Sequence, residues 1–193
     1  MRIIILLLLS MISYGSFADD GYRLWLKYDR IKNETLRKNY AQKLASVSTN
    51  FSDETAKVTL SEIEKASSGL LGIKSKTVAN STQATLVLKI GSIENKNAEA
   101  FEIKSSKNQI VISANTSKGM LYGVFELIRR MQTSESLENL KIASAPKIQL
   151  RMLNHWDNNN GTIERGYAGM SMWKWYELPE RIDSRYIDYA RAN

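Results

Sequence analysis

The chain contains no cysteine, only two prolines and a single histidine among its 193 residues. The lack of cysteine excludes disulfides and also a lipid attached to a cysteine at a processed N-terminus. His155 is the only histidine, so a histidine-rich metal site is excluded as well. Neither proline lies in the first 145 residues, and Pro146 falls in a small-residue stretch typical of a connection between two units. The fold must therefore be held by its core alone, or with a metal site that uses no thiol.

Residues 1–18 have the pattern of a secretory signal peptide. Arg2 supplies a positive charge, residues 3–9 are all apolar, and Ser16 and Ala18 place small residues at the two positions that a signal peptidase reads. The alternative, a transmembrane helix, is disfavoured because the apolar run is short and then interrupted. No later stretch is apolar enough to span a bilayer. We therefore expect export to the periplasm or the exterior, and no membrane contact after cleavage.

The charge of the chain is basic but dispersed. Lys and Arg number 27 against 20 Asp and Glu, a formal net charge of +7. The basic residues are scattered among acidic ones, whereas a protein that reads nucleic acid usually concentrates them on one stripe or helix. A solvated basic surface is the favoured interpretation, and no nucleic-acid partner is expected. Such a surface still helps to attract an acidic substrate.

The sequence of residues 19–145 predicts an α+β domain, a small sheet packed with helices. Alternating apolar residues predict strands, and apolar residues that recur every three or four positions predict helices. The predicted strands are 22–28, 85–90, 101–104 and 110–112, with the last two forming a hairpin, and the predicted helices are 50–72 and 117–131.

Three side-chain predictions accompany these elements. Alternate residues of 22–28, beginning with Tyr22, should share one face of the first strand. Ser52 should cap the helix over 50–72, and Gly72 should end it. Gly119 and Gly123 should let the helix over 117–131 pack closely against the sheet.

Residues 146–193 have a different character and are predicted to begin a second domain. Residues 148–154 alternate like a strand, the long polar and aromatic loop 155–176 follows, and 181–193 has helical periodicity. This order is typical of the first unit of a TIM (β/α)8 barrel, whose functional loops follow the C-terminal ends of its strands. Because a whole barrel takes about 250 residues, we expect an incomplete, truncated barrel here.

The loop combines aromatic rings with polar side chains, a combination that suits a sugar. Rings stack on the apolar C–H faces of a sugar, while polar groups bind its hydroxyls. A binding role for Trp156 with Glu164 is one interpretation, and Arg165 could hold a carboxylate through two hydrogen bonds. Simpler interpretations stay open: His155 in a structural hydrogen bond, Glu164 and Arg165 as an exposed pair of little energetic consequence, and core or interface packing for the aromatic residues Trp173, Trp175 and Tyr176.

The sequence also resembles a known family. The motifs LNHWDN (153–158) and GTIERGYAG (161–169) closely resemble those of the α-glucuronidases of glycoside hydrolase family 67. Residues 20–29, 122–130 and 186–193 are similar to that family's mature N-terminus, to the helix before its barrel and to its first barrel helix. The resemblance implies hydrolysis, without a cofactor, of the α-1,2 bond that links (4-O-methyl)glucuronic acid to the terminal xylose of xylo-oligosaccharides, with inversion at the anomeric carbon.

The resemblance further implies roles for particular residues. Trp156 and Glu164 are expected to contact the glucuronic acid, and Arg165, Asp157 and Asn158 lie beside them. An inverting hydrolase needs an acid and a base on opposite sides of the bond. In the family both come from later barrel strands, so no catalytic residue and no metal ligand is expected in this chain.

Two functions stay open. The first is the N-terminal portion of a secreted α-glucuronidase, and the second is a non-catalytic module that binds carbohydrate or a partner protein. A single β/α unit would leave the strand 148–154 with exposed edges, which favours the first. A homodimer, if formed, is expected to pair through regions beyond Asn193.

Overall fold

The structure is a computed structural model that describes residues 19–193; the predicted signal peptide, residues 1–18, lies outside the described residues. The helices are α1 (Glu34–Lys43), α2 (Glu54–Ala66), α3 (Ser117–Gln132) and α4 (Ser184–Ala192). The strands are β1 (Ser46–Thr49), β2 (Lys76–Thr77), β3 (Leu86–Ile90), β4 (Phe101–Ser105), β5 (Ile110–Ala114) and β6 (Lys141–Ser144).

The six strands form one mixed sheet in the order β2-β1-β3-β5-β4-β6. The strands β2, β1, β3 and β5 run parallel, and β4 is antiparallel to both of its neighbours, β5 and β6. Helix α3 packs on β4 and β5, and α2 packs on α3. This mixed sheet with its helices confirms the α+β domain and the predicted hairpin.

Helix α3 shows how the sequence builds this packing. Thr116 caps it by accepting a hydrogen bond from the Gly119 amide at 3.3 Å. A Cβ on Gly119 would lie 2.6 Å from the Ala100 carbonyl oxygen, and one on Gly123 would lie 2.6 Å from Ile112 Cγ2. The close approach predicted for these two glycines is therefore confirmed. The apolar side chains that recur at helical spacing, Met120, Val124, Leu127 and Met131, are all buried.

The strand predicted over 22–28 is wrong. Residues 24–27 form a 3-10 turn that is closed by a hydrogen bond from the Leu26 amide to the Arg23 carbonyl at 2.8 Å. Leu24 and Tyr28, at its two ends, have φ values of 47° and 51°, which an extended strand does not allow. Of the four alternating residues, Leu26 and Tyr28 are buried and the other two are exposed.

The long helix predicted over 50–72 is shorter, Glu54–Ala66, and its cap lies one residue later than predicted. The carboxylate of Asp53, not the Ser52 hydroxyl, accepts from the Ala56 amide at 2.8 Å. After α2 the chain continues as a single π-helical turn, Ser67–Leu71, and Gly72 ends it with φ of 70°. The negative charge of a carboxylate is also stabilised by the positive end of the helix dipole, which explains why Asp53 is the cap and Ser52 is not.

The segment 148–154 forms no strand in the structure, although its sequence alternates. Its apolar side chains Ile148, Leu150 and Met152 are exposed. A strand needs a hydrogen-bonded neighbour, and none of the described residues pairs with this segment. The barrel unit therefore stays a prediction, while its predicted helix is present in part as α4. Within residues 19–193, no helix has the length and apolar character needed to cross a membrane.

Candidate functional site

The residues after this extended segment fold into a compact loop, residues 155–171, closed by backbone hydrogen bonds. The Glu164 amide donates to the Trp156 carbonyl at 2.8 Å, and the Asn158 amide donates to the Thr162 carbonyl at 2.8 Å. A second closure follows, in which the Ile163 amide donates to the Gly169 carbonyl at 3.0 Å. Residues 156 and 164, eight positions apart in sequence, thus become direct neighbours.

Glycine and asparagine explain why this sequence turns so sharply. Gly161, Gly166 and Gly169 have φ values of 82°, 92° and 92°, which side chains with a Cβ rarely adopt. The Asn160 side-chain oxygen accepts from the Thr162 amide at 3.1 Å, a local turn typical of asparagine. The loop is therefore built by turn chemistry and not by a hydrophobic core.

Glu164 carries backbone strain at the centre of this loop. Its φ is 54°, in the left-handed region that costs a residue with a Cβ about 1 kcal/mol or more. Its side chain is half-buried, and its carboxylate raises the pKa of Tyr167 through a hydrogen bond. Arg165 is exposed, and the ion pairs of the described residues do not include one between Glu164 and Arg165. Strain of this kind at a non-glycine residue is common at binding sites.

The other predicted site residues divide into two groups. The Trp156 ring is 62% exposed and available for stacking. Asp157 and Asn158 instead hold the loop together. The Asp157 carboxylate accepts from the Ser171 hydroxyl, and the side-chain nitrogen Nδ2 of Asn158 donates to Thr162 Oγ1 at 2.9 Å. That nitrogen also lies 2.5 Å from the Glu164 carbonyl oxygen. Trp156, Glu164 and Arg165 thus remain as the candidates for contact with a ligand.

An aromatic cluster supports the base of the loop. We use this name for His155, Trp173, Trp175, Tyr186 and Tyr189. The Trp173 ring lies 4.6 Å from Tyr186, 5.5 Å from His155 and 6.0 Å from Trp175, measured between ring centroids. The Tyr186 hydroxyl also donates to the Met172 carbonyl at 3.0 Å. Of the three aromatic residues for which packing was an open interpretation, Trp173 is half-buried against these rings, whereas Trp175 and Tyr176 are exposed. His155 makes hydrogen-bond contacts at 3.4 Å with Trp173 and Tyr189.

Helix α4 carries the two tyrosines. It is bound through a buried carboxylate to the α+β domain of residues 19–145, which we call the sheet domain. Glu62 of α2 is fully buried and accepts from Arg191 Nε at 2.6 Å and Nη2 at 2.9 Å. The Tyr28 hydroxyl at 3.0 Å and Lys65 Nζ at 2.9 Å complete its partners. Burial alone would raise the pKa of Glu62, but its hydrogen bonds to Arg191 and Lys65 outweigh burial and lower it.

Glu62, Tyr186 and Tyr189 were not predicted as part of a site. Glu62 lies directly before Ile63 of the apolar stripe of α2, and a carboxylate at the border of such a stripe is a signal for a buried ion pair. Tyr186 and Tyr189 are three residues apart, so a helix places them on one face. Their partners lie far away in sequence and are not evident from local pattern.

The chemistry available in the loop is that of binding. An exposed indole, an acceptor and a cation lie within ten residues, while the remaining carboxylate, Asp157, is occupied by Ser171. Among residues 19–193, no group of three or more His, Asp or Glu side chains is arranged to hold a metal ion. The loop therefore suits a polar ring-shaped ligand with an acidic group.

Comparison with known proteins gives matches along most of the chain. The family model described as "Glycosyl hydrolase family 67 N-terminus" matches residues 24–127, and "Glycosyl hydrolase family 67 middle domain" matches residues 130–193. "Alpha-glucuronidase A" of Emericella nidulans is 26% identical over 96% of this chain and 24% of its own length. "Alpha-glucuronidase" of Hypocrea jecorina is 26% identical over 98% of this chain and 25% of its own length.

The chain thus spans about a quarter of the length of these curated relatives. Among solved structures, one described as a GH138 enzyme targeting pectin rhamnogalacturonan II superposes with a TM-score of 0.42 at 17% identity, covering 54% of this chain and 16% of its own. That likeness is too low to bear on fold or function.

Proposed function

The chain belongs to glycosyl hydrolase family 67, and from this membership we propose that it forms the sugar-binding front portion of an α-glucuronidase. The proposed reaction is hydrolysis of the α-1,2 bond between (4-O-methyl)glucuronic acid and a xylo-oligosaccharide, with inversion and without a cofactor. The relatives carry the name α-glucuronidase, and they match this chain over nearly its whole length. Both facts support the proposal.

The observation that carries the binding role is the closed geometry of the 155–171 loop. The hydrogen bond from the Glu164 amide to the Trp156 carbonyl brings together the backbones of Trp156, whose ring is exposed, and Glu164, whose backbone is strained. We assign Trp156 to stacking on one face of the sugar ring. Glu164 accepts hydrogen bonds from sugar hydroxyls, and Arg165 pairs with the uronic carboxylate.

The acid and the base are proposed to come from polypeptide outside these 193 residues. Inversion needs two carboxyl groups far enough apart to admit a water molecule. In the loop, Asp157 is held by Ser171, which leaves Glu164 as its accessible carboxylate. Export through the predicted signal peptide, residues 1–18, would place the protein where xylan fragments are found.

The test is a titration of the chain with a xylo-oligosaccharide that carries glucuronic acid, in which tryptophan fluorescence is the measured signal. We expect a change in emission for the wild type and a loss of that change in Trp156→Phe. Glu164→Gln should weaken binding by about the worth of one charge-assisted hydrogen bond, roughly 1.5–3 kcal/mol. The matched control Glu180→Gln, an exposed carboxylate outside the loop, should bind like the wild type.

Binding that does not depend on the uronic acid would contradict the assigned substrate. An unsubstituted xylo-oligosaccharide is the comparison ligand and should bind much more weakly. The chain by itself should release no glucuronic acid, and measurable turnover would overturn the placement of the acid and the base. Reading the coding DNA past the codon for Asn193 separates the two functions: further barrel strands support the enzyme, and a stop codon supports a binding module.

A further inference from the structure

Helix α4 makes contacts on two sides. On one side Arg191 binds the buried Glu62, and Asp188 accepts from the Tyr22 hydroxyl at 3.0 Å. On the other side Tyr186 and Tyr189 contact the Trp173 ring. The helix is nine residues long and contacts both the sheet domain and the base of the 155–171 loop.

The contacts between α4 and the sheet domain fix the orientation of the helix. The guanidinium of Arg191 meets Glu62 with two parallel hydrogen bonds, and its third nitrogen, Nη1, donates to Asp188 on the same helix at 2.8 Å. Two-point contacts of this kind fix orientation as well as distance. The Trp25 indole adds a hydrogen bond to the Ala192 carbonyl at 3.2 Å, so the last turn of α4 is held from two separate elements.

The attachment to the loop is made by the opposite face of the helix. The Tyr186 hydroxyl accepts from the Lys174 amide at 2.8 Å and donates to the Met172 carbonyl at 3.0 Å. The Tyr189 hydroxyl lies 3.4 Å from His155 Nε2, and His155 directly precedes Trp156 in the chain.

We infer that the Glu62–Arg191 ion pair is a positioning contact that orients α4. In this orientation Tyr186 holds Trp173, and Tyr189 holds His155, which directly precedes the sugar-binding residue Trp156. The inference rests on the proposed function for its sugar-binding part. Its structural part, the dependence of the cluster on Glu62, stands independently. Glu62 and Arg191 touch no substrate in this assignment and act only through α4.

The stacked pair Trp173 and Trp175 provides a readout that does not need a ligand. Their centroids are 6.0 Å apart with 28° between the ring planes. Two indoles this close couple electronically and give a paired positive and negative band in circular dichroism. A Trp173→Phe variant removes the pair and identifies the band, so loss of orientation in the cluster is observed directly.

Arg191→Met is the primary variant, because it keeps the apolar stem, removes both hydrogen bonds to Glu62 and leaves the sheet domain sequence unchanged. We expect the Trp173–Trp175 band to be lost and sugar binding to weaken about tenfold or more, since only a fraction of molecules would hold the loop correctly. Glu62→Gln should give the same two changes from the opposite side of the pair.

Lys65→Met is the matched control. This substitution removes the other cation that binds Glu62. Lys65 lies on the same helix as Glu62 and makes no described bond to α4. If the pair only stabilises the fold, Lys65→Met and Arg191→Met should lower the urea midpoint and leave the band in place. If the pair positions α4, only Arg191→Met and Glu62→Gln abolish the band. A normal band in folded Arg191→Met overturns the inference.

The two proposals fail in different ways. If the wild type shows the band but binds no glucuronic-acid-substituted oligosaccharide, the proposed function fails while the dependence of the band on Arg191 still tests the positioning role. If the wild type binds and Arg191→Met binds equally well with an unchanged band, the positioning role fails and the proposed function stands.

Discussion

Residues 19–145 bury their apolar side chains, whereas residues 146–193 expose most of theirs. The buried apolar residues of the first region lie between Leu26 and Leu140, and in the second region Tyr186 is the one buried apolar residue. The second region instead exposes large side chains such as Leu150, Trp156 and Tyr176. We call the first the sheet region and the second the C-terminal segment.

The two regions are therefore held by different forces. The sheet region is stabilised by burial, which is non-directional and cooperative. The C-terminal segment is held by directed polar contacts: turns within the loop, the Arg151–Glu99 ion pair and the Arg191–Glu62 pair. A segment of this kind opens locally at a lower free energy than the core beneath it. Precise placement of a binding loop can thus depend on a few contacts.

The largest effect should come from a truncation in the core of the sheet region. Leu127 of α3 is 1% exposed, and Leu127→Ala should lower the free energy of unfolding by about 2–5 kcal/mol, because it leaves a cavity. Leu150 in the C-terminal segment is 74% exposed, and Leu150→Ala should change it by less than about 0.5 kcal/mol. Urea unfolding followed by far-UV circular dichroism measures both. Equal losses would remove the difference between the regions.

Two glycines sharpen the comparison at a smaller scale. Gly123→Ala forces a Cβ against Ile112 Cγ2 and should cost about 1–3 kcal/mol in the same urea experiment, although alanine favours a free helix. Gly166→Ala meets no atom within 4 Å but has φ of 92°, so its strain should disturb the loop and sugar binding, not the unfolding midpoint. Gly91→Ala, also in open space and without a positive φ, is the neutral control.

The sheet region was largely predictable because its elements are amphipathic. Helix α3, the β4–β5 hairpin and β3 have regular apolar spacing, and the structure has all of them. Helix α1 and strand β1 were missed because their apolar residues are few, and β6 because its small residues resemble a linker. Tyr22–Tyr28 alternates like a strand, but positive φ values at Leu24 and Tyr28 make it a turn.

The candidate site was predictable only as a list of residues. The motif placed Trp156 and Glu164 in one loop, and the structure brings their backbones into contact. The supporting contacts were not predictable from local sequence, because Glu62 and Arg191 are 129 positions apart. The strand predicted over 148–154 needs a neighbouring strand, which a pattern of alternation does not supply.

Acidification should release the C-terminal segment at a higher pH than the one at which the sheet region unfolds. Glu62 has a lowered pKa in the folded protein, so the stability from its ion pairs is fully present above its usual value of 4.5 and is lost as the pH falls through the folded value. Glu99, which binds Arg151, is shifted in the same direction. On acidification the near-UV signal of the aromatic cluster should be lost at a higher pH than the far-UV signal of the sheet.

The control for the acid experiment is Glu62→Gln, in which the carboxylate that titrates is absent. Its near-UV signal should be weak already at neutral pH, and it should change little on acidification. If wild type and variant lose their near-UV signals over the same pH range, another carboxylate controls the release of α4.

The smallest effect compares two helix caps of the same chemistry. Asp53 caps α2 by accepting from the Ala56 amide at 2.8 Å, and Asp183 caps α4 by accepting from the Arg185 amide at 2.9 Å. Asp53→Ala should lower the global free energy of unfolding by about 1 kcal/mol, because α2 unfolds together with the core. Asp183→Ala should leave the urea midpoint unchanged and raise amide hydrogen exchange within α4 alone, since that helix can open while the sheet stays folded. A global shift in Asp183→Ala would show that the C-terminal segment and the sheet region unfold as one cooperative unit.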